Sequence, residues 1–283
     1  MKKIVLGTAN LNIKYGVFEY KHKRKYFNKK MIKELLKNNI KFIDTSPYYR
    51  LKNDKNNFEN FEVITKIKLP KKNVKLFLDN LEDYVQIELK KNQKKSFYAI
   101  LFHNPNDLYT KIGRTFLKKI YFLKKKKYFK KIGVSIYDSS ELKKIFTIFN
   151  PEIVQFPINI FDQRMINDGS LDFLKKKKII TQARSIFLQG LLLKKQKYLS
   201  KRFNKNFYNK LDIFEKWCDN KQISRLDACV NFIKLTKNID FVTIGFENLK
   251  QIKEVLAAFR KEIQFNYKEL NIKDKNIIDP RKW

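Results

Sequence analysis

The sequence predicts a (β/α)8 TIM barrel, and three observations carry that expectation. Short runs rich in β-branched and aromatic residues alternate eight times with longer segments of helical period, the rhythm of βαβ units around a parallel sheet. The 283 residues contain no long Gly-, Pro- or Ser-rich linker, so a single domain over 1–283 is the simplest partition. An open doubly wound sheet would place a glycine fingerprint at its first crossover, and none is present.

The elements follow in order. The first strand is Ile4 to Leu6, stopped by Gly7, and Met31 to Leu36 repeats its apolar residues at helical spacing. Phe42 to Asp44 is the second strand; the polar, short stretch from Tyr49 to Phe61 then leaves room only for a shortened second helix. Glu62 to Ile67 forms the third strand, and Val74 to Leu89 a long helix for which Asn73 is the expected N-cap. Phe97 to Phe102 and the helix Lys111 to Lys126 come next, then the strand Lys131 to Ser135 and a helix from Ser140 to Phe149, capped by Ser140 itself. Ile153 to Phe156, the helix Asp168 to Lys176 and Ile179 to Ala183 continue the alternation. Arg225 to Thr236, the strand Phe241 to Ile244 and the helix Leu249 to Phe259 close it.

Composition narrows the class. At 43% hydrophobic, 14% aromatic and 32% charged residues the chain is neither disordered nor fibrous. Cys218 and Cys229 fit neither a disulfide framework nor a CxxC pair, and read as buried thiols in a reducing compartment. The apolar run that ends at Gly7 is far short of a signal-peptide core, and no stretch approaches the roughly 18 apolar residues of a membrane span, so a cytoplasmic location without membrane association is expected. The net charge of +35 comes from 63 basic against 28 acidic residues, but only nine of the basic ones are Arg. Lysines spread over helix faces describe a solvated surface with loose attraction to polyanions, not a specific nucleic-acid site.

Absences exclude further chemistry. The seven glycines make no phosphate loop and no GxSxG elbow; two histidines, His22 and His103, are too few for a multi-histidine metal site, and no metal is expected. What remains is a set of polar residues at the C-terminal ends of the strands, where a barrel builds its active site. Asp44, Lys66 and His103 end three successive strands, and Tyr48 and Tyr49 lie just beyond the acid. Ser135, Gln155, Asn159, Arg184, Ser185 and Gly245 occupy later strand ends. Singly, each has a duller reading as a cap, a turn residue or a solvated side chain; their joint placement is hard to obtain from surface packing. A phenol with a pKa of about 10 is a poor proton donor near neutrality until an adjacent ammonium stabilises the phenolate, and an aspartate can hold that ammonium charged. Such a group suits protonation of a carbonyl oxygen while a nicotinamide supplies hydride to carbon.

These residues carry a resemblance that spans nearly the whole chain. Leu6-Gly7-Thr8-Ala9, Tyr15-Gly16, Ile43-Asp44-Thr45-Ser46, Ile64-Thr65-Lys66, Leu101-Phe102-His103-Asn104-Pro105, Ile132-Gly133-Val134-Ser135, Phe161-Asp162-Gln163-Arg164 and the run from Ala183 to Leu192 stand in one order. In that order they resemble an aldo-keto reductase. Tyr15-Gly16 and the Ala183 to Leu192 run resemble a bacterial branch found beside surface-polysaccharide and sugar-nucleotide genes.

The resemblance implies a barrel that binds NADP(H) in extended form, with NAD(H) as the alternative, and reduces a small-molecule aldehyde or ketone, as a monomer or weak homo-oligomer. The family's catalytic four map onto Asp44, Tyr49, Lys66 and His103, with Tyr48 the fallback acid. Ser135 and Gln155 would hold the nicotinamide carboxamide, with Asn159 as a neighbour; Arg184, Ser185, Gly190, Leu191, Gly245 and Lys250 would hold the rest of the cofactor. Three departures stand out. Arg50 replaces the glycine that commonly follows the tyrosine, Arg184 replaces a stacking tyrosine, and the segment after Gly245 offers Phe246, Asn248, Lys250 and Gln251 where relatives hold a 2′-phosphate with Lys and Arg. Two readings from other classes stay open: a Schiff-base aldolase or lyase using Lys66, and a barrel without catalysis that binds polyanions loosely through its lysines.

Overall fold

The computed structural model describes residues 2–12, 28–49, 57–194, 203 and 205–283. Tyr15, Gly16, His22 and Arg50 lie outside the described residues. Eight strands form a closed barrel: β1 (Lys3–Gly7), β2 (Phe42–Asp44), β3 (Glu62–Ile67), β4 (Phe97–Phe102), β5 (Phe129–Ser135), β6 (Ile153–Pro157), β7 (Ile180–Arg184) and β8 (Phe241–Gly245). Every neighbouring pair is parallel and β8 closes onto β1, with Gly7 opposite both Asp44 and Gly245.

The period of two along a strand decides what fills the barrel. Val5, Ile64, Ala99, Leu101, Ile153 and Phe241 form a separate buried cluster, against which Phe42, Tyr98 and Ile180 pack. The Phe42, Tyr98 and Phe241 rings lie 4.9 to 6.0 Å apart and plug the barrel at its N-terminal end. Two residues further along the same strands the inward positions turn polar: Phe42 is followed by Asp44, Ile64 by Lys66, Leu101 by His103, Ile153 by Gln155 and Ile180 by Gln182. The plug below and the polar storey above leave the C-terminal end as the one at which chemistry can be done. Gly133 is required by this packing, because a Cβ there would sit 2.3 Å from both the Ile153 side chain and its carbonyl oxygen.

The helices wrap the larger core cluster. Several depart from their sequence reading. The long helix is broken at Asn80 into Val74–Asp79 and Leu81–Lys91, and Asn73 sits at its N-terminus with φ 54° and no side-chain cap. The helix Ser139–Phe146 is capped by Asp138, which accepts from the Ser140 backbone N–H at 2.9 Å, so Ser140 is inside the helix rather than its cap. A helix over Lys205–Asn220, absent from the sequence reading, buries Phe207, Leu211, Phe214, Trp217 and Cys218. Between β2 and β3 the described residues hold only the 3-10 turn Pro47–Tyr49. Among the described residues no helix is long and apolar enough to cross a membrane.

Candidate active site

Asp44 is the centre of the polar storey. It ends β2 with 4% exposure, and Lys66 near the end of β3 is 2% exposed. The Lys66 ammonium donates to Asp44 Oδ1 and, at 3.2 Å, to the Thr45 carbonyl. The other carboxylate oxygen accepts from Gln155 Nε2 at 2.5 Å and Gln182 Nε2 at 3.0 Å. Both acidic oxygens are thus occupied by donors, which is the condition for burying an ion pair. Burial alone would lower the Lys66 pKa; the Asp44 carboxylate at contact distance, with a smaller contribution from Tyr49, more than offsets it and holds the pKa above the ordinary lysine value. Lys66 is therefore a fixed cation at neutral pH.

Two tyrosines leave the turn after β2, and the structure separates them. Tyr49 lies with its ring centroid 5.2 Å from Lys66 Nζ and borders the groove described below. Tyr48 is exposed, stacks on His103 at 5.8 Å, sits under Lys68 Nζ at 4.2 Å and donates to the Lys68 carbonyl at 3.4 Å; it does not border the groove. The part of the Tyr48 side chain that these neighbours cover is enough for desolvation to raise its phenol above the ordinary value. His103 meets the Tyr49 ring edge-on at 6.3 Å, and its Nδ1 is buried without a hydrogen-bond partner. Burial first, and then the Lys66, Arg184 and Lys68 charges, lower its pKa to about 3, so the imidazole is neutral.

A groove of about 650 Å³ opens from this point across the barrel rim. Gly7, Thr8, Asp44, Tyr49, Gln155 and Arg184 border one part of it, and Ser185, Gly190 and Gly245 also line it. Ser135 is buried beneath, donating to Gln155 Oε1 at 3.2 Å. The segment after β7 carries left-handed φ values at Ser185, Leu188, Gln189 and Gly190, an accumulation of the kind found where backbone is shaped around a ligand. Asn159 does not line the groove: its Oδ1 accepts from the Phe161 and Asp162 N–H groups and its Nδ2 donates to the Ser185 carbonyl, which positions that segment. Leu191 is wholly buried in the core and also lies outside the lining. Lys250 points outward, 84% exposed, with Glu254 at 3.9 Å.

Arg184 is already engaged. Its guanidinium donates to the Ile136 carbonyl at 3.1 Å and lies 4.3 Å from the Tyr137 ring, over which Arg281 also stacks at 3.7 Å. Residues that sequence reasoning missed include Gln182, which reaches Asp44 across 138 positions of sequence, and Thr8, which donates to Thr45 Oγ1 at 2.9 Å. Gln182 did leave a signal, a polar residue at an inward position of a buried strand. Cys218 lines the groove as a free thiol whose pKa burial pushes up to about 12. Among the described residues no group of three or more His, Cys, Asp or Glu side chains could hold a metal ion.

A family model described as the aldo/keto reductase family matches residues 3–277. The chain belongs to the aldo/keto reductase family. Members of that family are oxidoreductases that use nicotinamide cofactors on small carbonyl compounds. No curated protein matches the chain. Solved structures share the fold: the glycerol dehydrogenase AKR11B4 of Gluconobacter oxydans is 18% identical with a TM-score of 0.67, over 94% of this chain and 89% of that one. The holo form of aldo-keto reductase AKR11C1 from Bacillus halodurans is 16% identical with a TM-score of 0.69, over 93% and 88%.

Proposed function

We propose that this aldo/keto reductase reduces an aldehyde or ketone, sugar-derived by the resemblance of its sequence, with Tyr49 as the acid that protonates the carbonyl oxygen. The observation that carries the reading is the buried Asp44–Lys66 pair beside Tyr49 at one end of the groove. Lys66, held charged by Asp44, lies against the Tyr49 ring and is placed to stabilise the negative charge left on the phenol oxygen when Tyr49 gives its proton to the carbonyl. Neutral His103, edge-on to the Tyr49 ring at 6.3 Å, orients the carbonyl. Gln155 and Gln182 hold Asp44 so that the ammonium cannot swing away.

The residues present fit a dinucleotide. Gly245 and Asn10 meet so closely on the groove wall that a Cβ at Gly245 would fall 2.8 Å from Asn10 Oδ1, and that oxygen is buried without a partner. A bound reduced nicotinamide supplies the hydride. Gln155, on the groove wall and backed by the buried Ser135 hydroxyl, is the residue suited to its carboxamide, and Ser185, Gly190 and Gly245 supply backbone along the groove for the rest. Arg184 acts as part of the wall and an electrostatic neighbour, because Tyr137 and Ile136 hold its guanidinium. The enzyme works as a cytoplasmic monomer or weak homo-oligomer.

Imine chemistry at Lys66 is the weaker reading, since a Schiff-base lysine needs a lowered pKa and Lys66 has a raised one. Tyr49→Phe should leave dinucleotide binding intact, read by quenching of reduced-nicotinamide fluorescence, and lower turnover of a small-aldehyde panel about 10²- to 10⁴-fold. Tyr48→Phe should remain active. Full activity in Tyr49→Phe would refute the assignment, and salt-sensitive polyanion binding with no dinucleotide uptake would point instead to a barrel without catalysis.

A further inference from the structure

We infer that Arg281, which does not border the groove, is a positioning residue for its catalytic end: through the Tyr137 ring it fixes where the Arg184 guanidinium stands against the nicotinamide. The inference rests on the reductase reading. Hydride must reach a carbonyl beside Tyr49, so the nicotinamide occupies the end of the groove bordered by Asp44, Tyr49, Gln155 and Arg184.

Three arginines converge on Tyr137, and they are held differently. Arg164 and Arg281 each lay a guanidinium fork on a buried carboxylate: Arg164 reaches Asp162 with two contacts of 2.8 Å, and Arg281 reaches Asp279 at 2.9 and 2.6 Å. Such a fork fixes the plane of the guanidinium. Arg184 has instead the Ile136 carbonyl at 3.1 Å, a long contact to Ser185 Oγ at 3.4 Å and the Tyr137 ring, whose centroid lies 4.3 Å from its guanidinium carbon. One short contact to a neutral carbonyl lets a guanidinium pivot, so the ring it lies against sets its plane.

Tyr137 sits in the link between β5 and the helix Ser139–Phe146. Its backbone is pinned, the N–H donating to the Glu141 carboxylate and the carbonyl accepting from Arg164 at 3.1 Å. Its ring is held by Arg281, whose guanidinium carbon lies 3.7 Å from the ring centroid. Arg281 belongs to the 3-10 turn Pro280–Lys282, which follows the short helix Lys275–Ile278 beyond the eight β/α repeats. That stretch is tied to the same link by Lys275 to Asp138 at 3.2 Å and by Arg281 to Glu141 at 3.6 Å. Arg281 thus offers Tyr137 an anchored cation, and Tyr137 offers Arg184 an anchored plane. A stacked guanidinium keeps a second face and spare N–H groups for another ring, and Arg184 is the part of this stack that borders the groove.

The test is a double-mutant cycle read as binding of the reduced dinucleotide, by fluorescence titration of the full chain with NADPH and with NADH. Arg281→Gln keeps an amide that can donate to Asp279 but takes the guanidinium off Tyr137. It should weaken the tighter-binding dinucleotide about three- to tenfold, and Arg184→Ala should weaken it at least as much. In the Arg184→Ala background, Arg281→Gln should cost less than about twofold, because the side chain it acts through is gone. Tyr137→Leu should copy Arg281→Gln, whereas Tyr137→Phe, which keeps the ring, should bind as the unmodified protein does. Equal losses from Arg281→Gln with and without Arg184 would overturn the inference, since a residue that only supports the fold gives additive effects. No loss from Arg281→Gln, or none from Arg184→Ala, would also overturn it. In those cases the unmodified chain still binds dinucleotide and the reductase reading stands; binding of neither dinucleotide would overturn both. Should Arg281→Gln fail to fold, the same cycle run with Tyr137→Leu decides.

Discussion

Replacing Asp44 by Asn tests whether the site is built around a buried charge. In the native protein the Lys66 ammonium, 2% exposed, has the Asp44 carboxylate and the Thr45 carbonyl as its hydrogen-bond acceptors. The amide keeps an oxygen that can accept from Gln155 and Gln182 but removes the negative charge. Breaking a buried pair from one side costs about 3 to 5 kcal/mol, because the remaining ion stays desolvated. The pH dependence identifies the cause. Lys66 has a raised pKa in the native fold, so its stabilising contribution is complete below the unfolded value of about 10.4 and is lost as pH rises through the folded one. Without Asp44, burial lowers that pKa instead, so the deficit is largest at neutral or lower pH and shrinks as the amine deprotonates. Adding Lys66→Met should restore most of the lost stability while leaving turnover absent in both variants, since the charge is a functional requirement rather than a packing one. Urea unfolding midpoints at pH 7 and 9.5, with turnover measured alongside, make the check. An unchanged midpoint in Asp44→Asn, or a deficit that grows with pH, would refute the reasoning.

Other consequences follow from single environments. His103, with its pKa lowered to about 3, should show no imidazole titration between pH 5 and 8 by NMR. Because the unfolded chain protonates that ring near pH 6.5, stability should fall by up to about 1.4 kcal/mol per pH unit as pH drops from there towards 3, and His103→Gln should flatten that dependence. Gly133→Ala should destabilise by about 3 kcal/mol or more, read from the unfolding midpoint, since the added carbon meets backbone as well as a side chain at 2.3 Å. Cys218, although it borders the groove, should resist iodoacetamide at pH 8 in the native state and react in urea, because burial pushes its thiol up to about 12.

The strands were legible because most of their positions are buried whichever face they point to, so apolar runs such as Phe97 to Phe102 stand out. Helices were less legible where local chemistry competes with period. The apolar residues of Lys205–Asn220 recur at helical spacing, from Phe207 and Leu211 to Phe214 and Trp217, but they are set among lysines and asparagines that give no start signal. Asn80 carries no signal as a breaker, yet it ends one helix and begins the next. Ser140 was a reasonable cap by type; Asp138, two residues earlier, takes the position because its carboxylate reaches the Ser140 N–H.

The site was legible for a different reason. Asp44, Lys66 and His103 are polar residues terminating strands whose other members are apolar, and a parallel barrel necessarily gathers such termini on one rim. What sequence order could not express is which inward residue faces which across the closed sheet. Gln182 and Asp44 meet because β2 and β7 curve round the same narrow interior, and nothing local to either strand announces it. The aromatic plug makes that meeting consequential. With the Phe42, Tyr98 and Phe241 rings packed together below, the polar atoms of the storey above find their partners in the side chains of other strands or on the side of the groove. Of the buried side-chain atoms left without a partner among the described residues, His103 Nδ1, Gln182 Oε1 and Asn10 Oδ1 lie in this storey or on the groove wall, where the proposed cofactor and carbonyl would be received.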